Sequence, residues 1–446
     1  MTCLRFLLTL LAWTSCGAGI TALGTRRALG RAEFLALSFA LGLGFAGFVH
    51  VALMLVGVRV GLWVAIAVAP LGLIALRVRP VFVPSARPPL LAWFGHAVAL
   101  GAIGVMSWAA SLNDTVAGDG EEFWTLKTKS IVRFGTFRNP DFTGGVRPHR
   151  HSGYPLLMPS AYASLRWTVG TAEGWPVRYT LALFFAAASA ILAGILRERL
   201  GASLAAWLTA FFAWLPMLLS PRGGLLNAYS DFPLAIFILI GVVEGFRWLT
   251  TLSPRSGFLS AVALACASQC KDEGGAFVSA CMILFPLTGL LRGKRAAFAA
   301  TLIPLAGFVT FLAWTWAKRS FVPDREAATA SAGIEWSRIP RILYNVVWLM
   351  VKANKWSLGW LFVGGMLALR FPKPREPESL LTSAAGAILL IYVAVWTVIP
   401  AAEADEAMGC NAPRILMHFF PLLFVWASWR LATVLPQETP RPRIEH

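Results

Sequence analysis

The chain has 446 residues, of which 57% are hydrophobic and 14% charged, and it carries a formal net charge of +17. A soluble globular chain has about a quarter of its residues charged, so this composition excludes an ordinary soluble fold. The positive excess would suggest nucleic acid in a soluble protein, but here it is spread over alternate short loops between apolar runs, and no nucleic-acid partner is expected.

A hydrocarbon core about 30 Å thick takes roughly 20 mostly apolar residues per helical crossing. Runs that meet or approach this length occupy residues 4–23, 34–57, 60–76, 90–112, 177–196, 202–219 and 232–243. They continue at 258–270, 274–291, 296–317, 358–369, 380–399 and 415–435. None alternates with the period of two that a β-barrel needs. The pattern predicts an all-α polytopic integral membrane protein with about 13 transmembrane helices, within a range of roughly 11–14. Several runs are short, so tilted or broken helices are expected. No fixed-period repeat or long polar linker divides the chain, and residues 1–446 read as one transmembrane domain. The first run is similar to a signal peptide, with small residues at Ser15, Cys16, Gly17 and Ala18. The charge alternation requires it as a retained first span. The six cysteines are scattered, mostly within apolar runs, and read as small core residues.

Lys and Arg accumulate in cytoplasmic loops. Counting loops alternately, one set holds Arg26, Arg27, Arg31, Arg77, Arg79, Arg87, Arg197, Arg199, Arg247 and Arg255. The same set takes in Arg292, Lys294, Arg295, Arg370, Lys373, Arg375, Arg441 and Arg443. The opposite set holds Asp114, Asp119, Glu121, Glu122, Asp231, Asp272, Glu273, Glu403, Asp405 and Glu406. This places the N-terminus outside, the C-terminus inside, and the acidic loops on the extracytoplasmic face of a cytoplasmic (inner) membrane. The segments 113–153 and 318–341 break the rule by carrying cations on the outer side, and bound phosphate is one reason for such an exception.

The segment 113–153 is the one substantial extracytoplasmic loop. Within it, 121–134 suits an interfacial helix, opened after Asp119-Gly120 and closed by Gly135. At about 100° per residue, Phe123, Trp124, Leu126, Ile131 and Phe134 share one face, and Lys127 falls near its middle. Either Lys127 snorkels to water or it points into a site and pairs with a carboxylate or phosphate. Asp119, three residues before Glu122, fits a capping box as well as it fits a base toward a bound hydroxyl. Asp114 competes for the second role. Arg147, His149, Arg150 and His151 precede Tyr154-Pro155, and suit either lipid headgroups or a lipid-linked phosphate. His149 and His151 with neighbouring acids could hold a divalent cation, but no third ligand stands at a regular spacing.

Three smaller constellations lie on the same side. Asp231 opens a span, with Pro233 in its first turn, and reads as a cap or a site residue. Lys271-Asp272-Glu273 interrupts two apolar stretches; buried at a helix centre each would cost roughly 2.5–3.5 kcal/mol, so they face water, protein or a site. Arg414 enters the last span with His418 one turn deeper.

These stretches resemble, in order, motifs of the bacterial GT-C glycosyltransferases. Gly118-Asp119 through Trp124-Thr125-Leu126-Lys127-Thr128-Lys129 is similar to an Asp followed by W-x-x-K-A-K. His151-Ser152-Gly153-Tyr154-Pro155-Leu156-Leu157-Met158-Pro159 is similar to H-x-x-Y-P-L-L-x-P. Tyr229-Ser230-Asp231-Phe232-Pro233-Leu234 resembles Y-x-D-x-P-L, Lys271-Asp272-Glu273-Gly274 resembles K-N-E-G, and Arg414 fits an Arg often found at the last span. The resemblance runs from about Asp114 onward. It departs in Thr128, which replaces an Ala, and in the first three spans, because many relatives place only one span before the loop. It implies a helical membrane fold with an extracytoplasmic cavity, a polyprenyl-phosphate-linked sugar as donor, and inverting transfer to a cell-envelope acceptor. Carried over, it implies Asp119 as the base. Lys127, Arg147, His149, His151, Tyr154, Lys271 and Arg414 then become donors to phosphate or substrate. Asp231, Asp272 and Glu273 become sugar-binding or cavity residues, with no metal ligand assigned. The alternatives are a lipid-linked oligosaccharide flippase, polymerase or ligase, and a transporter, which would favour midplane charges and repeat symmetry.

Overall fold

The computed structural model describes residues 2–25, 27–58, 67–78, 80–83, 88–112, 124–143, 153–171, 174–220, 230–291, 293–319, 335–373, 376–398 and 401–435. Among these residues the regular secondary structure is helical, apart from one isolated parallel bridge between Leu29 and Phe82. The helices are α1 (Thr2–Gly24), α2 (Arg31–Leu55), α3 (Leu90–Leu112), α4 (Leu126–Phe134) and α5 (Leu157–Val169). They continue with α6 (Trp175–Arg197), α7 (Ala202–Ala213), α8 (Asp231–Thr251), α9 (Pro254–Ser268) and α10 (Asp272–Leu290). The last are α11 (Lys294–Lys318), α12 (Ile339–Val351), α13 (Gly359–Leu369), α14 (Ser379–Val398) and α15 (Ala401–Val434).

Nine helices among the described residues are long and apolar enough to cross a membrane. They are α1, α2, α3, α6, α8, α10, α11, α14 and the Ala412–Val434 part of α15. The chain is thus a multi-pass helical membrane protein, with nine long spans against the thirteen apolar runs of the sequence. Four runs fall short for identifiable reasons. In 202–219 the residue before Pro216 is forced out of the helical region; Leu215 has ψ 126°, and α7 stops after twelve residues. The run 358–369 forms the eleven-residue α13, about 16 Å long, or half a hydrocarbon core. It is separated from α12 by extended Lys352 and by Ser357 at φ 50°. The run 258–270 forms the fifteen-residue α9, which ends in a turn at Gln269. The described part of 60–76 holds only a 3-10 turn, Ala69–Gly72, and the start of a six-residue helix, Leu73–Val78.

Helix α8 is central. Its residues are buried from Asp231 to Leu249, and it packs against α9, α14 and α15. Helices α1 and α2 approach backbone to backbone. A Cβ at Gly17 would lie 1.8 Å from the Ser38 carbonyl oxygen, and one at Gly42 would lie 1.8 Å from that of Trp13. Gly42→Ala must therefore push the pair apart, at a cost of about 1–3 kcal/mol by analogy with overpacked cores. Thermal unfolding in detergent is expected to show a lowered midpoint for Gly42→Ala and none for Gly104→Ala, where a Cβ meets nothing within 4 Å. Equal midpoints would show that the crossing is slack.

The described ion pairs fall into two groups, a basic one at the Arg247 end of α8 and an acidic one at its Asp231 end. At the basic end, Arg27 pairs with Glu33 and, at 2.8 Å, with Glu198, while Arg247 binds both Glu198 and Glu244. Beside them, Arg199 pairs with Glu378, and Arg430 holds Glu376 and, at 3.0 Å, Glu378. The Arg255 guanidinium donates to the Thr25 carbonyl at 3.4 Å. These bonds tie the ends of α1, α2, α6, α8, α14 and α15 together. The acidic end carries the remaining motifs.

Candidate functional site

The loop candidates Asp114, Asp119, Arg147, His149 and His151 lie outside the described residues, as do 121–123 of the expected interfacial helix. The rest of that helix is present. It opens at Trp124-Thr125 and continues as α4, which Gly135 closes at φ 70° by donating its N–H to the Ile131 carbonyl. Glycine pays no steric penalty in that left-handed conformation. Helix α4 rests on α5, where the Trp167 indole donates to the Val132 carbonyl at 3.1 Å.

Lys127 does not snorkel; the whole residue is buried. Its ammonium lies 5.4 Å from the centre of the Trp124 ring and 5.3 Å from that of Tyr154, with the two rings 6.2 Å apart. An ammonium over aromatic faces is attracted by the ring quadrupoles, the more so when desolvated. Tyr154 is placed by hydrogen bonds on both sides of it. The Trp314 indole of α11 donates to the Gly153 carbonyl at 3.0 Å, and the Leu157 N–H donates to the Gln269 carbonyl at 3.1 Å. The turn between α9 and α10 is thereby brought to the loop.

Lys271 occupies that turn. Its ammonium sits 5.9 Å from the Tyr154 ring centre, 3.0 Å from Asp231 Oδ1 and 3.2 Å from Glu273. One tyrosine ring centre thus lies 5.3 and 5.9 Å from two lysine ammoniums. Burial works against the Lys271 ammonium, but the Asp231 and Glu273 carboxylates outweigh it and hold its pKa above the usual lysine value. Burial, then the Glu273 carboxylate, push the Tyr154 phenol above its ordinary range, so it stays neutral at physiological pH. Asp272 pairs at 3.5 Å with Lys318 at the end of α11.

Asp231, buried at the first position of α8, is the junction of the cluster. Its Oδ1 also lies 2.8 Å from His418 Nε2, and His418 Nδ1 lies 2.6 Å from the Tyr392 hydroxyl. Arg414 is buried one turn before His418 on α15, near enough for its charge to act on Asp231 and Lys271. The described candidates Lys127, Tyr154, Asp231, Lys271, Asp272, Glu273 and Arg414 therefore converge at one end of the bundle. Tyr392 and His418 join them, although Tyr392 stands in no motif and His418 is marked only by its place one turn past Arg414. Three buried carboxylate oxygens, Asp231 Oδ2, Asp272 Oδ1 and Glu273 Oε2, have no hydrogen-bond partner among the described residues. Among those residues no group of three or more His, Cys, Asp or Glu side chains is arranged to hold a metal ion.

Chemically, the cluster offers two kinds of contact. Lys127, Lys271, Lys318 and Arg414 are cations, and the three orphan oxygens are acceptors for hydroxyl groups. Among the described residues these four cations stand beside the three carboxylates of Asp231, Asp272 and Glu273. No protein-family model matches the chain, and neither does any curated protein. The motif resemblance and the converging side chains therefore carry the functional reading between them.

Proposed function

We propose that the chain is a membrane glycosyltransferase that moves a sugar from a polyprenyl-phosphate donor to a cell-envelope acceptor on the extracytoplasmic face. The observation that carries this reading is convergence. Five motif stretches far apart in sequence supply Lys127, Tyr154, Asp231, Lys271 and Arg414 to one cluster at one end of the bundle. Cations and bare acceptors side by side suit a molecule that joins a phosphate to a polyol.

In the proposed reaction the acceptor hydroxyl oxygen attacks the anomeric carbon, and the bond from that carbon to the phosphate oxygen breaks. The proton passes to Asp119, the base that the motif resemblance implies. The lipid phosphate departs with the electron pair, and the lysines and Arg414 stabilise the charge that develops on it.

The test is transfer by purified protein from prenyl-phosphate sugars to a membrane lipid or glycan extract. Asp119→Asn is expected to lower transfer by about 10²–10⁴-fold, the usual contribution of a general base, while donor binding persists. Normal transfer by the Asn variant would leave Asp119 as a helix cap and make Asp114 the next residue to replace. Selective binding of prenyl pyrophosphates would favour the ligase reading instead. Sidedness has its own check, by labelling single cysteines in intact cells. A cysteine at Ser152 is expected to react with an impermeant reagent, and one at Ser85 only after lysis.

A further inference from the structure

The hydrogen bonds behind Asp231 form a chain that no motif accounts for. His418 Nε2 is 2.8 Å from Asp231 Oδ1, and a carboxylate only accepts, so Nε2 carries the proton and donates. Nδ1 lies 2.6 Å from the Tyr392 hydroxyl, and it accepts from that hydroxyl when Nε2 carries the ring's one proton. Tyr392 comes from α14, His418 from α15 and Asp231 from α8, and all three are buried. The Tyr392 ring packs in turn on Trp396, with centroids 5.9 Å apart.

Oδ1 of Asp231 thus accepts from both His418 and Lys271, while Oδ2, equally buried, accepts from nothing described. A buried carboxylate oxygen left bare is costly, and the two bonds to Oδ1 fix which oxygen is left. Groups that orient a working side chain from behind act as the partners of metal-bound histidines do: they set tautomer and direction without touching the ligand.

We propose that Tyr392 and His418 are positioning residues that hold Asp231 so that its Oδ2 accepts a hydrogen bond from one hydroxyl of the bound sugar. The inference rests on the glycosyltransferase reading, and it adds two residues and a hydroxyl-specific contact to it. His418→Phe removes the donor to Oδ1. His418→Gln can restore one, because its amide nitrogen reaches the position of Nε2. Tyr392→Phe keeps the ring against Trp396 and deletes only the hydroxyl.

The experiment measures binding of a prenyl-phosphate hexose and its monodeoxy analogues to the purified chain in nanodiscs. In the unsubstituted protein one deoxy analogue is expected to bind at least tenfold more weakly than the parent. In His418→Phe that difference should shrink below about threefold, and His418→Gln should recover most of it. Tyr392→Phe should give an intermediate loss. A merely structural role would weaken parent and analogue alike, leaving their ratio unchanged, and that result would overturn the proposal. Nitrogen-15 labelling of histidine gives a readout that needs no sugar. His418 should show a protonated Nε2 and a bare Nδ1, with the Nδ1 signal moved by Tyr392→Phe and the Nε2 signal by Asp231→Asn. A His418 signal indifferent to both substitutions would overturn the proposal whatever the protein transfers. The expected signals without binding of any prenyl-phosphate sugar would sink the functional reading, and with it the sugar contact.

Discussion

Replacing Lys271 by methionine is expected to abolish binding of a prenyl-phosphate sugar and to destabilise the fold by about 3–5 kcal/mol, the usual effect of removing one partner of a buried ion pair. Methionine keeps the length and most of the volume of lysine, so packing is nearly preserved. What changes is charge. Asp231 would keep only the His418 hydrogen bond and the more distant field of Arg414, and Glu273 would lose the ammonium 3.2 Å away. A double variant separates the two consequences. Asp231→Asn placed on Lys271→Met removes the orphaned charge and should restore much of the stability, since contacting residues are not additive. It should restore no binding, because both the cation and the anionic acceptor are then gone. Thermal unfolding with parallel donor-binding titrations reads both. If the double variant remains as unstable as the single, the cost lies in packing rather than in uncompensated charge.

At the opposite end, Arg247→Met is expected to destabilise the protein by a similar amount, about 3–5 kcal/mol, without touching donor binding. Arg247 neutralises Glu244, which is 2% exposed, and shares Glu198 with Arg27. Without it, one arginine faces Glu33, Glu198 and Glu244. Glu198 is partly exposed and contributes less, because solvent screens its interactions. Glu244→Gln combined with Arg247→Met should therefore recover most of the loss. Donor affinity measured on the folded fraction should match the unsubstituted chain. A loss of affinity would mean that the two ends are coupled through α8.

Much of this architecture was legible in the sequence, because a membrane span announces itself by length and hydropathy alone. Nine of the thirteen apolar runs became long helices, and Gly135 closed α4 as expected, at φ 70°. The failures share a cause: hydropathy does not register where a helix breaks. Leu215 before Pro216 and Ser357 at φ 50° interrupt apolar stretches without lowering their hydrophobicity. At the site, Lys127 was legible because one cation in an apolar helical face stands out. Tyr392 and His418 were not, since a tyrosine and a histidine inside apolar runs look like core. Their partners lie 26 and 187 residues apart, separations that no local pattern encodes. The carboxylates of the basic end were passed over for a different reason. A rule that counts only lysine and arginine gives no role to Glu33, Glu198, Glu244, Glu376 and Glu378, yet each is paired with an arginine there.

The most direct test of the central claim, that the polar cluster at the acidic end binds a sugar joined to a lipid phosphate, is native mass spectrometry of the chain with a prenyl-phosphate hexose. The unsubstituted protein and Arg247→Met are expected to retain one donor molecule each, and Lys127→Met to retain none. Equal retention by all three, or no retention by the unsubstituted chain, would contradict the claim.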